Sequence, residues 1–350
     1  MPDNKAAWIP SPQARLEVKP APYPTPGPKD IIIKTSHAAI NPLEYKIQDT
    51  NPPIGGKEIP YPTILGADLS GIVVEIGCEV STRNVGDRVI ANANGAQTGQ
   101  PARGGFQLYV QLDESNTTLL PENVALEAGA VLPLACDTAA AGLFVPEQLG
   151  LHTNALGGET TSSTAPGPGA VLLVWGGSSS VGCCAIQMAK AAGYEVYTTA
   201  SKKNHDLVRS IGASKVFDHA QSDVESDLIA ALEGQTVIGA YDAIVDQERS
   251  FLPCARILAK TTGPKKIAAV LNPPNVELPA DVHAQRLSIP ALRAGPVYKI
   301  VHDWMEKALA NGSLQPKPNP EIVGEGLAYI QDGIDRMRKG VSATKLVIKL

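Results

Sequence analysis

The chain has 350 residues, 43% hydrophobic and 19% charged, enough for two ordinary domains of a globular protein. A formal net charge of -5 gives no general support to a nucleic-acid partner or an anionic membrane surface, and neither a membrane-span-length apolar run nor a signal peptide is legible. The five cysteines are scattered, odd in number and without a C-x-x-C pair, which fits a reducing, cytoplasmic setting rather than a disulfide framework.

The first part of the chain is strand-rich and punctuated by proline. Ala6–Ile9 and Arg15–Val18 have a hairpin pattern, and Ile31–Ala38 reads as a strong strand. Asn41-Pro42 breaks the chain before a short helix expected over Leu43–Gln48, and a Pro/Gly-rich loop follows from Asp49 to Pro62. Leu69–Ile76, the turn and strand of VGDRVI (Val85–Ile90), Gly104–Val110 and Thr117–Leu120 complete an all-β series spaced like a small barrel. Helical periodicity begins with Leu126–Leu132 and Ala135–Leu149, then gives way to an apolar-poor loop, His152–Gly169, expected to be exposed.

The apolar run Ala170–Trp175 opens a βαβ unit. It predicts a buried parallel strand, followed by the turn GGSSSVG, a helix from Val181 to Ala192 and a second strand over Glu195–Thr199. At such a turn, backbone N–H groups and the helix dipole favour an anion, and glycines admit a pyrophosphate closely. GGSSSVG is not the strict G-x-G-x-x-G, so the turn by itself is also compatible with a tight connection that holds no ligand. No Gly-Lys-Ser/Thr closes it, which argues against a P-loop. An NAD site usually carries an acidic residue at the end of the second strand; here the chain reads Ala200-Ser201-Lys202-Lys203-Asn204. Two lysines would neutralise a 2′-phosphate, so the expected cofactor is NADP(H); the alternative is a pair of solvated surface lysines.

Strands over Lys215–Asp218, Ala240–Asp246 and Lys266–Val270 alternate with helices over Asp206–Ser210, Asp223–Leu232 and Ser250–Leu258, the rhythm of a doubly wound parallel sheet. A helix near Tyr298–Leu309, another over Gly326–Lys339 and a strand over Lys345–Leu350 close the chain, the last expected to rejoin the N-terminal strands. His37, His152, His205, His283 and His302 each lack a Cys, Asp or Ser partner at hydrolase spacing, and there is no G-x-S-x-G elbow.

GADLSGIVVEIG (Gly66–Gly77), VGDRV, GGFQLYV, LPLACDTAAAGL and GGSSSVG together resemble the medium-chain dehydrogenase/reductase superfamily, in order and over essentially the whole chain. The resemblance implies an α/β protein: a GroES-like β-barrel domain from residues 1–130 and 311–350, and a Rossmann domain with a doubly wound parallel sheet from 131–310. It places the active site in the cleft between them. The zinc alcohol dehydrogenases of this superfamily carry a Cys-His pair where this chain has Asn41-Pro42, and Gly-His-Glu where it has Gly66-Ala67-Asp68. The lobe matching their structural-zinc cysteines, Ala91–Arg103, is short and has none, so no metal site is expected.

AINPLEYK (Ala39–Lys46) and TTASKKNHDLVRSIGASKVFDH are most similar to the zinc-free branch of quinone oxidoreductases and fungal trans-acting enoyl reductases of polyketide synthases. That resemblance implies cofactor contacts from Gly177, Ser178, Ser179, Ser180 and Val181 at the pyrophosphate. Ser201, Lys202 and Asn204 would meet the 2′-phosphate and ribose, His219 the adenine, and Val341 and Ser342 the closing side. The catalytic candidates are Tyr45 as proton donor, Lys46 as polariser of the carbonyl, and Asn41 at the ribose or the carbonyl; Tyr45 and Lys46 are alternatively exposed side chains of a short helix. Asp137 and Thr138 would border the substrate, though Thr138 is equally a helix-start donor. The expected reaction is reduction of an activated C=C bond, with a quinone reductase or a non-catalytic NADP(H)-binding partner protein as alternatives. The expected partner is a small molecule or a carrier-protein-bound acyl chain of a polyketide synthase, with neither nucleic acid nor membrane, on a monomer or homodimer.

Overall fold

The computed structural model describes residues 2–54, 58–158, 166–167 and 169–350; Gly55–Lys57 of the Asp49–Pro62 loop, and 159–165 and 168 of the His152–Gly169 loop, lie outside the described residues. The chain divides into two compact units, Met1–Leu134 with Met305–Leu350, and Ala135–Trp304. The expected breaks were at 130/131 and 310/311.

In the first unit, the long strand Asp30–Ala39 is the spine. It pairs antiparallel with Asp68–Ile76, Tyr109–Asp113 and Lys345–Lys349, so the last strand of the chain joins strands from its first third. Arg88–Asn92 and Thr117–Leu119 extend this sheet, and Asn4–Ile9 pairs with Glu17–Ala21 and Thr63–Ile64 in a second one. The core joins Ile40 and Ile47 to Phe106, Ile334 and Ile348. Pro320–Glu325, parallel to Lys345–Lys349, is a strand the sequence pattern did not expose, because its residues are at best half-buried. The strand expected over Gly104–Val110 begins only at Tyr109. Gly104 and Gly105 instead lie against the backbone of Ile64 and Gly66, so close that a Cβ on Gly104 would stand 2.1 Å from the Ile64 carbonyl oxygen.

The second unit is a six-stranded parallel sheet. Its order is Lys215–Phe217, Glu195–Thr199, Val171–Trp175, Val237–Asp242, Lys266–Ala269, His283–Arg286. Val171–Trp175 is first in sequence and central in space, with the chain winding out to both sides, which is the Rossmann order. Its side chains, with Leu228, Phe251 and Leu258 from the covering helices, form the core. His283–Arg286 was not anticipated: it is an edge strand of polar residues and lacks the β-branched signal of its neighbours. The helix expected over Ala135–Leu149 ends at Phe144, two residues before Pro146, as proline requires. By length and composition Leu126–Phe144 is apolar enough to cross a membrane, contrary to the expectation that no run would be. Most of it is buried inside the fold, as in a core helix.

Candidate functional site

The turn after Val171–Trp175 is shaped by its glycines. Gly176 has φ +82°, in the left-handed region, and Gly182 lets the helix Ser180–Ala191 press on the turn, since a Cβ there would lie 2.3 Å from the Gly176 carbonyl oxygen. Ser179 caps that helix, its Oγ accepting from the Gly182 N–H at 3.0 Å. Gly177 is buried, while Ser178, Ser180 and Val181 are half-buried at the helix mouth. Asn204, buried at the end of Glu195–Thr199, donates from Nδ2 to Ser178 Oγ at 3.3 Å, and Ser201 Oγ lies 3.1 Å from His219 Nε2. One hydrogen-bonded group therefore joins the first turn to the ends of the second and third strands, with Lys202 and His219 exposed beside it. Backbone N–H groups at a helix N-terminus next to lysines fit the phosphates of a dinucleotide.

A loop from the fourth strand stands over the same turn. Asp242 is buried; its Oδ1 accepts from the N–H groups of Ile244 and Val245, and its Oδ2 from the Ser250 hydroxyl. Burial pushes its carboxyl above the usual range. These bonds hold Val245 at φ +58°, which a β-branched residue adopts only when the surroundings impose it, and end the strand at Asp242 rather than Asp246. Ile244 packs against Gly176 so closely that a Cβ there would lie 2.5 Å from its side chain.

The second group of candidates lies in the first unit. Asn41 caps the helix Pro42–Thr50 together with Glu44, whose Oε2 accepts from the Asn41 N–H at 2.7 Å and whose Oε1 accepts from the Ala67 N–H at 3.1 Å. The Asn41 amide donates to Asp68 Oδ2 at 2.9 Å and accepts from the Lys345 ammonium. Lys345 Nζ also lies 2.8 Å from Asp68 Oδ2, and Asp68 Oδ1 accepts from the Leu134 N–H at 2.6 Å. Asp68 and Lys345 are fully buried, as is Glu44. Desolvation, more than the nearby Asp68 charge, pushes the Glu44 carboxyl up to about 7 against the lowering effect of its hydrogen bonds and Lys345.

Tyr45 and Lys46 follow Glu44 on the same helix, about 100° apart. Tyr45 packs against the apolar core of its unit, and Lys46 is half-buried. Val341 and Ser342 are exposed on the turn before Lys345–Lys349, where Ala343 takes φ +50°.

Asp137 and Thr138 belong to the second unit. Thr138 is buried and its carbonyl accepts from the Tyr241 hydroxyl at 2.8 Å. Asp137 is buried too, its Oδ1 3.1 Å from His302 Nε2 and its Oδ2 3.5 Å from Arg293 Nη2. His302 lacks an Asp at hydrolase spacing along the chain, and its acidic partner lies 165 residues away in sequence and adjacent in space. His37 likewise has Ser36 Oγ 3.0 Å from its Nδ1.

Sequence reasoning missed Glu44, Lys345, Arg293 and the Asp242 loop. Glu44 had a signal, since Asn-Pro-Leu-Glu is a capping-box spacing. Lys345 had none, because a lysine in a strand gives no sign that it points inward.

A doubly wound parallel sheet with a glycine turn at its switch point is joined in one chain to a mostly antiparallel unit, a dinucleotide-binding architecture. Residues 27–122 match the alcohol dehydrogenase GroES-like domain and residues 180–278 the zinc-binding dehydrogenase family. The chain is 38% identical over its full length, and that of its relative, to the dehydrogenase azaJ of Aspergillus niger. It is 39% identical to the trans-enoyl reductase himH of Aspergillus japonicus, covering 99% of this chain and 97% of that one. Among solved structures, an alcohol dehydrogenase superfamily protein of Novosphingobium aromaticivorans superposes with a TM-score of 0.79 at 22% identity, over 99% of each chain. The chain belongs to the medium-chain dehydrogenase/reductase superfamily, among its fungal dehydrogenases and trans-enoyl reductases.

Zinc, which part of this superfamily uses, does not fit the residues found here. Asp68 is already bonded to an ammonium, an amide and a backbone N–H, and among the described residues no three His, Cys, Asp or Glu side chains converge.

Proposed function

We propose that the chain is a zinc-independent, NADPH-dependent reductase of α,β-unsaturated C=C bonds, acting in the cytoplasm on an acyl chain attached to a polyketide-synthase-type carrier protein. The observation that carries this reading is the Lys345 ammonium paired with Asp68: a cation supplied by the chain stands with the carboxylate that replaces a metal-site glutamate. A polarised C=C needs only hydrogen-bond donors toward its carbonyl oxygen, which side chains of this chain can supply. The relatives named trans-enoyl reductase support the same choice.

NADPH, when bound, supplies the hydride that adds to the β-carbon. Gly177, Ser178, Ser179, Ser180 and Val181 would hold its pyrophosphate and Lys202 and Ser201 its 2′-phosphate, with Asn204 fixing Ser178 for that task and His219 beside the adenine. Lys46 donates toward the substrate carbonyl oxygen as negative charge develops there, and the α-carbon then takes a proton, from the Lys46 ammonium or from water, to complete the addition across the C=C bond. Lys46 is favoured over Tyr45 as the polar donor, because the Tyr45 ring packs against apolar core. Asn41, bonded to both Asp68 and Lys345, sets the start of the helix that carries Lys46.

The test is NADPH consumption with α,β-unsaturated thioesters, enones and quinones. Turnover of the thioesters is expected. Turnover of quinones alone overturns the enoyl reading in favour of a quinone reductase, and tight NADPH binding without any turnover points to a non-catalytic partner protein.

A further inference from the structure

Asp137 is 1% exposed, and basic side chains beside so deeply buried a carboxylate offset the cost of its desolvation. Its two basic neighbours come from one later stretch: Arg293 lies in the last turn of the helix Ile289–Ala294, and His302 in the second turn of Val297–Asn311. Between them Tyr298 packs its ring on His302, centroids 4.3 Å apart, with the Arg293 guanidinium carbon 5.9 Å from the Tyr298 centroid. The carbonyl of the next residue, Thr138, accepts from the Tyr241 hydroxyl. The helix is thus tied here to the 289–302 stretch through the Asp137 side chain and to the central sheet through the Thr138 carbonyl.

We infer that Asp137 is a positioning residue: through Arg293 and His302 it clamps 289–302 onto the helix Pro133–Phe144, fixing Thr138, the residue expected to border the acyl substrate. This rests on the function proposed above. Arg293 is the permanent cation of the clamp, and His302 its directional donor through Nε2. Without the carboxylate, Arg293, whose side chain is 16% exposed, loses this ion pair, and the 289–302 stretch shifts away from the helix Pro133–Phe144. Without the imidazole, the ion pair to Arg293 stays. The two losses are therefore unequal.

The experiment uses the full chain and the variants Asp137→Asn and His302→Gln, the second of which keeps a donor. Hydrogen exchange of 289–302 is read beside KM and kcat for short- and long-chain enoyl thioesters and the Kd for NADPH. Asp137→Asn is expected to speed exchange in 289–302 while 171–175 stays protected. It should raise thioester KM by about tenfold, more for the longer chain, with kcat and NADPH Kd within about threefold. His302→Gln should show the same pattern, weaker. Unchanged exchange and KM in Asp137→Asn overturn the clamp, as does an equal loss of NADPH affinity and thioester KM. If Asp137→Asn does not fold, His302→Gln decides: an unaltered chain-length profile and exchange overturn the proposal. If the wild-type chain reduces no thioester, the proposed function fails, and the exchange arm still decides whether the clamp exists.

Discussion

The two groups of candidate residues are built from opposite materials. In the second unit the turn Gly176–Gly182 works through backbone: positive φ, missing Cβ atoms, and N–H groups at a helix mouth whose side chains stay half-exposed. In the first unit the group around Asp68 works through ionised side chains taken almost wholly out of water, with Lys345 reaching a carboxylate 277 residues away. The difference teaches where each is vulnerable. A backbone cradle is lost by adding atoms, whereas a buried charge network is lost by removing one partner and stranding the other.

The largest effect should therefore fall on the first unit. Asp68→Asn leaves Lys345 as a buried, uncompensated cation and should cost on the order of 3–5 kcal/mol in denaturant unfolding. Asp68→Asn with Lys345→Met should recover a good part of that; a double variant no better than the single would break the picture of a mutually compensating pair.

Glu44 sharpens the same contrast through pH. Its folded-state carboxyl is raised to about 7 from a usual value near 4.5, mainly by desolvation, so between these values the folded chain binds more protons than the unfolded one. Stability from this group is fully present below about 4.5 and is lost as pH rises through about 7, a change on the order of 3 kcal/mol. Urea unfolding at pH 5 and pH 8 should show the wild-type chain losing more stability than Glu44→Gln. Equal losses would remove Glu44 as the source.

Activity gives the next test. Lys46→Met should lower kcat by about 100-fold with NADPH affinity kept, and Tyr45→Phe by no more than about threefold. The reverse ranking would make Tyr45 the donor. In the second unit, Lys202→Ala should raise KM for NADPH by about tenfold and leave NADH nearly untouched, since only one of them carries the 2′-phosphate. Equal effects on both would return Lys202 to an ordinary surface lysine.

The same contrast explains what was legible in the sequence. The glycine turn, the central strands and the family were readable because their constraints are local: a φ, a run of apolar residues, a spacing. The strands His283–Arg286 and Pro320–Glu325 escaped notice because their residues are too exposed to carry a pattern. The shifted start of Tyr109–Asp113 reflects glycines that serve a close backbone approach rather than a strand. Lys345, Arg293 and the acidic partner of His302 were invisible for a stronger reason. Each acquires its role only from a residue that folding brings to it, and no window along the chain contains both.

The central claim is reduction of an activated C=C bond without a metal. It is tested most directly by following NADPH oxidation on an α,β-unsaturated thioester while measuring the metal content of the same sample. The account predicts a product two mass units heavier at a zinc content far below one per chain. Thioester reduction that scales with bound zinc and disappears with a chelator would contradict it.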